Sequence, residues 1–228
     1  MISINKKNYW VSIKVLDKIL EKILYKSRKK IYKIFCKIIP LKKNFTLIDV
    51  GTSPMLEKYE NIILSQYKWK KNITCLSDQN CNILKKKYKE IKISIGDAKK
   101  INYKSNKFDV VYCSATIEHL GSYQNQLKAL KEMNRISKKY LFLTTPNRFF
   151  PIEMHTKIPF LHFLPKKMFR AIIRFFGDDF FCHEKNLNLL SIKDVIKLCK
   201  DARIKNYEIM YNYFLFFKSN IILIAKKY

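Results

Sequence analysis

Long apolar runs are missing from this chain, and none approaches the roughly 20 residues that cross a bilayer. Lys14, Asp17, Lys18 and Glu21 break up the apolar residues near the N-terminus, so no secretory signal is expected and a cytoplasmic location follows by default. Cysteine pairing signals are also missing. The six cysteines, Cys36, Cys75, Cys81, Cys113, Cys182 and Cys199, form no C-x-x-C pair, and His119, His155, His162 and His183 stand at no ligand spacing to them. Packed, reduced thiols are expected, with neither a disulfide frame nor a metal site. Acidic residues are few, 18 against 46 lysines and arginines, for a formal charge of +28. Arginine is scarcer still, only six of those 46. Specific phosphate and base forks favour arginine, so the lysine excess points to a generally basic surface more than to a nucleic-acid reader. An acidic partner or an anionic membrane surface is permitted, and nucleic acid stays open as the weaker alternative.

The chain has 228 residues, 48% apolar and 14% aromatic, enough for one α/β domain with a full core plus an extension. Residues 1–44 form that extension. In it Leu16, Ile19, Leu20, Ile23 and Leu24, then Ile31, Ile34, Phe35, Ile38 and Ile39, repeat at helical spacing between lysines over 9–39, and Pro40 ends the pattern. This stripe either packs on the following domain or lies as a basic amphipathic helix on an anionic membrane. Residues 45–228 form the domain proper.

Short β-branched runs recur there: 45–51, 73–78, 91–98, 108–114 and 140–144. Polar stretches of helical length separate them, with helices expected at about 56–67, 79–89 and 122–136. Residues 149–190 then interrupt the alternation with Pro151, Pro159, Pro165 and many aromatics, the composition of a lid or binding insertion. Ser191 is placed to cap a helix over 192–202, with Asp194 in its first turn. The last two runs, 207–217 and 219–226, read as an antiparallel hairpin hinged at Lys218-Ser219-Asn220. The fold class expected is α/β: a doubly wound, mostly parallel seven-stranded sheet with a C-terminal antiparallel hairpin and an N-terminal helical extension. In such a sheet ligands bind at the carboxyl ends of the strands, where Asp49, Gly51, Asp78, Asp97 and Ser114 would gather.

The order Asp49-Val50-Gly51, Asp78, Gly96-Asp97-Ala98 and Phe108 to His119 resembles the class I S-adenosylmethionine-dependent methyltransferases, over about 45–226. The resemblance implies a Rossmann-like sheet and S-adenosylmethionine as cofactor, with no metal required. It places Asp49, Gly51, Thr52 and Ser53 near the methionine part, where a glycine lets the backbone approach and offer unscreened N–H groups. Asp78 falls where the family holds the ribose hydroxyls, Asp97 and Ala98 where it holds the adenine edge, and Ser114 and Ala115 beside the sulfonium. The chain departs from the pattern at the first loop, where Gly51 is followed by Thr52-Ser53-Pro54-Met55 instead of further glycines. Ser53 is small enough to replace the second glycine, and Pro54 is suited to starting a helix. The 29-residue gap from Asp49 to Asp78 also exceeds the usual spacing of about 20. The stretch Thr144 to Pro165, and Glu184 to Ser191 after it, resembles a type 11-like bacterial subgroup associated with surface-polysaccharide or glycolipid assembly.

For the chemistry, His119 and His155 are the candidate bases, since neutral imidazole titrates near working pH. His119 could equally be a capping or packing group, and His162, between Leu161 and Phe163, reads as a packed histidine. Asn147, Arg148 and Glu153 are candidates to clamp an anionic or hydroxylated acceptor, unless Arg148 simply pairs with Glu153. The activity expected is methyl transfer to a hydroxyl or amine of a small-molecule or glycan-type acceptor, with peripheral contact at the inner face of the membrane through the basic arm. Two alternatives remain: an RNA or tRNA methyltransferase using the lysine-rich surface, and a non-catalytic protein that kept the fold.

Overall fold

The computed structural model describes residues 14–57 and 59–227, with only the backbone described for 14–19. Residues 9–13 of the expected arm, and the side chains of Leu16 and Ile19, lie outside this description. The first four runs form β1 (Leu47–Val50), β2 (Ile73–Ser77), β3 (Lys92–Ile95) and β4 (Phe108–Ser114). They are joined by β5 (Ser137–Pro146), β6 (Tyr207–Phe214) and β7 (Phe217–Lys226) in one seven-stranded sheet of order β3-β2-β1-β4-β5-β7-β6. Strands β1 to β5 pair in parallel, and β7 runs antiparallel to both β5 and β6. β1 and β2 are buried at every position, as their unbroken apolar character requires in a sheet covered on both faces.

The helices cover those faces. α4 (Tyr123–Ile136) and α6 (Ile192–Asp201) lie on one side, with Met133 and Leu198 in a core that includes Ile48 and Val111. On the other side α1 (Lys14–Ile38) and the short α2 (Ile62–Gln66) and α3 (Asn82–Lys87) pack on Leu47, Tyr112 and Phe142. Phe35 of α1 is fully buried there, edge-on to Tyr112 at 5.2 Å and to Phe142 at 5.1 Å. The stripe of α1 from Ile31 onward therefore packs on the sheet.

Several local expectations are corrected. The helix expected from about 56 begins only at Ile62, and Pro54 starts nothing. The intervening loop is held instead by Asn61, whose Nδ2 donates to the carbonyls of Ser53 and Met55. The hairpin turns at Leu215-Phe216, not at Lys218-Ser219-Asn220. Those polar residues belong to β7, where the register shifts opposite Asn212 and Tyr213, and Ser219 is buried with its hydroxyl on the Asn212 carbonyl. The insertion carries an unanticipated helix, α5 (Lys166–Phe175). Ser191 does cap α6, in a reciprocal capping box with Asp194. All six cysteines are free, and only Cys36 is exposed.

Because Phe35 joins α1 to the central strands, Phe35→Ala should lower unfolding free energy by about 3–5 kcal/mol. Urea denaturation of the full chain checks this, and a loss near zero would mean that α1 contributes nothing to the core.

Candidate active site

A cleft of about 1910 Å³ opens above the carboxyl ends of the parallel strands. The strand order reverses between β1 and β4, so their connections leave toward opposite faces and a crevice remains at that point. The cleft exceeds the roughly 300–1,000 Å³ of a single small-ligand site and has room for two molecules side by side. Leu20, Leu24 and Arg28 of α1 close one wall, and the insertion closes another through Glu153, His155 and Phe181.

Gly51 takes a left-handed φ of 85°, and a Cβ there would stand 2.2 Å from the Thr116 methyl carbon. Glycine is required by both conditions. Its N–H and that of Thr52 both donate to the Leu76 carbonyl, at 2.9 and 3.0 Å. This corrects the expectation that the turn offers unscreened N–H groups to a ligand: β2 has already taken them. The Thr52 hydroxyl lies 2.9 Å from Asp49 Oδ2 and donates there, which ties the first loop back to β1. Ser53 lines the cleft and its Oγ accepts from the Met55 N–H at 3.2 Å.

Asp49 itself lies behind the cleft surface, 5% exposed. Burial pushes its carboxyl up to about 6, against the opposing pull of the Thr52 hydroxyl and of Arg28. Arg28 was not anticipated. It is the one arginine among the lysines of α1, and that scarcity is the signal that would have singled it out. Its Nη1 donates to the carbonyls of Tyr59 and Glu60, both at 2.7 Å, so it braces the first loop while facing the cleft.

The remaining expected cofactor residues divide in the same way. Asp78 stands exposed at the end of β2 and lines the cleft. Asp97 lines it too, with Oδ1 taken by the Lys99 N–H at 2.8 Å and the Lys99 ammonium at 2.9 Å. Partial burial raises the Asp97 carboxyl, but these Lys99 contacts outweigh it and hold the group below its usual range. Ala98 and Ala115 are lining residues, Ala115 with a φ of 51°. Ser114 sits behind them, its hydroxyl 3.1 Å from that of Thr144. One cleft thus gathers Gly51, Thr52, Ser53, Asp78, Asp97, Ala98 and Ala115, with Asp49 buried beneath its surface and half-buried Ser114 outside its lining.

Where the insertion faces the strand ends two histidines meet, their ring centroids 4.7 Å apart. His119 Nδ1 lies 2.8 Å from the Asn186 carbonyl, which can only accept, so Nδ1 is the donor. His155 Nδ1 lies 2.5 Å from Glu153 Oε1, which orders its tautomer in the same sense. Glu153 is 4% exposed and its second oxygen accepts from the N–H groups of His155 and Thr156, at 3.0 and 2.6 Å. Burial alone would depress the His155 imidazolium, but the Glu153 carboxylate overrides it and the histidine is raised. In return Glu153 is held down at about 2 in spite of its burial.

Arg148 does not reach this group. Its guanidinium donates to the carbonyls of His162 at 3.3 Å and Leu164 at 2.7 Å and pins the insertion, pairing with neither Glu153 nor the cleft. Asn147 lines the cleft while donating to the Lys218 carbonyl at 2.9 Å. His162 is buried with Nε2 on the Phe150 carbonyl, a packed histidine. Glu118 had no expected role beyond its place before His119. It is fully buried at the cleft floor, where Oε2 accepts from the Thr145 hydroxyl at 2.9 Å and Oε1 has no partner.

Residues 62–142 match the protein family described as Methyltransferase domain. No curated protein matches the chain. Among solved structures, a SAM-dependent methyltransferase from Aquifex aeolicus shares 16% identity, covering 86% of this chain and 88% of its own, at a TM-score of 0.55. A SAM-dependent methyltransferase from Thermotoga maritima shares 17% over 92% of each chain at 0.59. The magnesium protoporphyrin IX methyltransferase of Synechocystis, solved with bound SAH, shares 14% over 91% of this chain and 86% of its own at 0.57. Likeness at these identities establishes the fold, a Rossmann-like methyltransferase sheet with antiparallel β7 and β6. The domain match adds methyltransferase character for the segment from β2 to β5 that it covers.

The buried Asp49 has a measurable signature. Its folded value of about 6 lies above the usual 3.8, so the native state binds the extra proton and stability falls as pH rises between those values. Asp49→Asn should therefore raise the thermal midpoint at pH 8, by an amount equivalent to about 1–3 kcal/mol, and change it little near pH 4. Thermal scans of both proteins at the two pH values check this; equal shifts at both would show that Asp49 is not ionised at a cost.

Proposed function

We propose that this chain transfers a methyl group from S-adenosylmethionine to a hydroxyl, or an amine, of a small-molecule or glycan-type acceptor, with His155 as general base. The observation that carries the reading is the His155–Glu153 pair in the wall of a cleft shared with five strand ends. The cofactor residues fit the group. Asp78 has an exposed carboxylate suited to a ribose diol, and it shares the cleft with Ser53, Asp97 and Ala98. Asp97 and Ala98 would hold the adenine edge, and Asp49 would act on the cationic methionine end from beneath the cleft surface, with Arg28 bracing the first loop. Bound there, the cofactor supplies a sulfonium methyl that needs no further activation.

The protein's own task is then alignment and proton removal. Glu153 fixes the His155 ring so that Nε2 points its lone pair away from the carboxylate, ready to take the acceptor proton. The partnerless Glu118 oxygen at the cleft floor offers an acceptor for a substrate O–H or N–H. Helix α1 and the insertion wall the site from water, and positioning of this kind contributes up to about 7–11 kcal/mol. The glycan-type acceptor, the surface-polysaccharide setting and the cytoplasmic location rest on the resemblance of Thr144 to Pro165 and on composition. The volume of the cleft suits an acceptor of that size.

His155→Ala should lower kcat by about 10²–10⁴-fold and leave S-adenosylhomocysteine affinity unchanged in calorimetry. In wild type, activity should rise with pH as the raised His155 loses its proton, and Glu153→Gln should move that limb to lower pH. Labelled methyl transfer onto fractionated cell extract identifies the acceptor. Label in lipid-linked glycan or a small molecule supports the reading, whereas label confined to RNA or protein overturns it.

A further inference from the structure

We infer that the mouth of the cleft docks on an anionic phospholipid bilayer through the β6–β7 turn and the aromatic rim of the insertion. The turn residues Leu215 and Phe216 are 74% and 95% exposed. Leu215 also holds a φ of 52°, at a two-residue hairpin position that asparagine or glycine ordinarily occupies. Solvent-facing turns gain nothing from such residues, which combine backbone strain with bare apolar surface. Further aromatic pairs lie behind the turn and along the insertion. Phe214 meets Phe150 at 6.3 Å, Phe149 meets Phe163 at 5.6 Å, and Phe163 meets Phe160 at 5.7 Å. Phe160 is itself left-handed, with φ 60°, and 59% exposed. Across the cleft, Phe176 and Phe180 are lining residues that remain half exposed. Exposed apolar residues clustered at a turn and along the neighbouring insertion form an interaction surface, unlike scattered single residues.

Charge selects the partner. Lys218 follows the turn and Lys30 of α1 donates to the Tyr213 carbonyl beside it, while exposed Lys167 and Arg174 belong to α5; Asp178 and Asp179 are the acidic residues between Phe176 and Phe180, and the turn itself has none. Aromatic side chains fringed by lysines match the boundary between acyl chains and anionic headgroups. A second copy would instead bring one chain of charge +28 against another. The stripe of α1, the membrane element expected from sequence, is not offered for this purpose from Ile31 onward because Ile31, Phe35 and Ile39 are in the core. Docking does not rest on the methyltransferase reading, since it uses neither the histidines nor the strand ends.

The test is flotation of the full chain with vesicles of phosphatidylcholine alone or mixed with phosphatidylglycerol, at low and high salt. The chain should float with the mixed vesicles, release as salt rises, and ignore phosphatidylcholine alone. The double variant Leu215→Ser, Phe216→Ser should partition at least about tenfold less while keeping its thermal midpoint, and Phe160→Ser should act in the same direction. Failure to bind anionic vesicles, unchanged binding by the folded double variant, or a concentration-dependent dimer that this variant dissociates would each overturn the proposal.

Discussion

The parallel ladder of β1 between β2 and β4 is the constraint on which the site depends. Asp49 pairs with Cys75 on one side and Tyr112 on the other, and Val50 with Leu76 and Cys113. This register brings the ends of three strands level, so that Gly51 emerges directly beneath Thr116 and its N–H folds onto the Leu76 carbonyl. A slip of one residue would turn every side chain to the opposite face, separating Asp49 from Thr52 and Thr116 from Gly51. The cleft is thus a consequence of strand order and register before any ligand contact is considered.

Above that ladder the protein tolerates electrostatics that do not favour folding. Asp49 is ionised only against its burial, and Glu118 keeps one oxygen without a partner at the cleft floor. Glu153 and His155 solve the same difficulty within one turn, each compensating the burial of the other. Buried carboxylates gathered at and beneath one crevice are the pattern of a site organised for a ligand, because a structural region gains little from keeping them. The high external charge is a separate matter and acts on partners, not on the fold.

Strands were legible because β1, β2 and β4 lie largely buried on both faces and read as mostly apolar, β-branched runs. The short helices were less so. α2 and α3 have no side-chain cap at their starts, so nothing in the sequence marked where they begin. The hairpin turn was misplaced because Leu215-Phe216 looks like strand and Lys218-Ser219-Asn220 looks like turn, whereas the polar residues serve a register shift inside β7. Prolines and aromatics hid the period of α5. Among site residues, those at strand ends were readable by position. Arg28 and the orphaned Glu118 oxygen depend on contacts between distant segments, which no local pattern encodes. The Glu153–His155 pair was within reach of sequence, since its members are two residues apart.

Asn188 links the two halves of the cleft. Its N–H donates to the Glu118 carbonyl and its Nδ2 to that of Gly121, both at 2.7 Å, while its own carbonyl accepts from Gln126 at 2.9 Å. The loop bearing His119 is thereby clasped by a residue downstream of the whole insertion. A chimera that exchanged the segment between Asn147 and Leu187 for that of another protein would leave this clasp intact. The cleft wall that holds Glu153 and His155 is, in that sense, an interchangeable cassette.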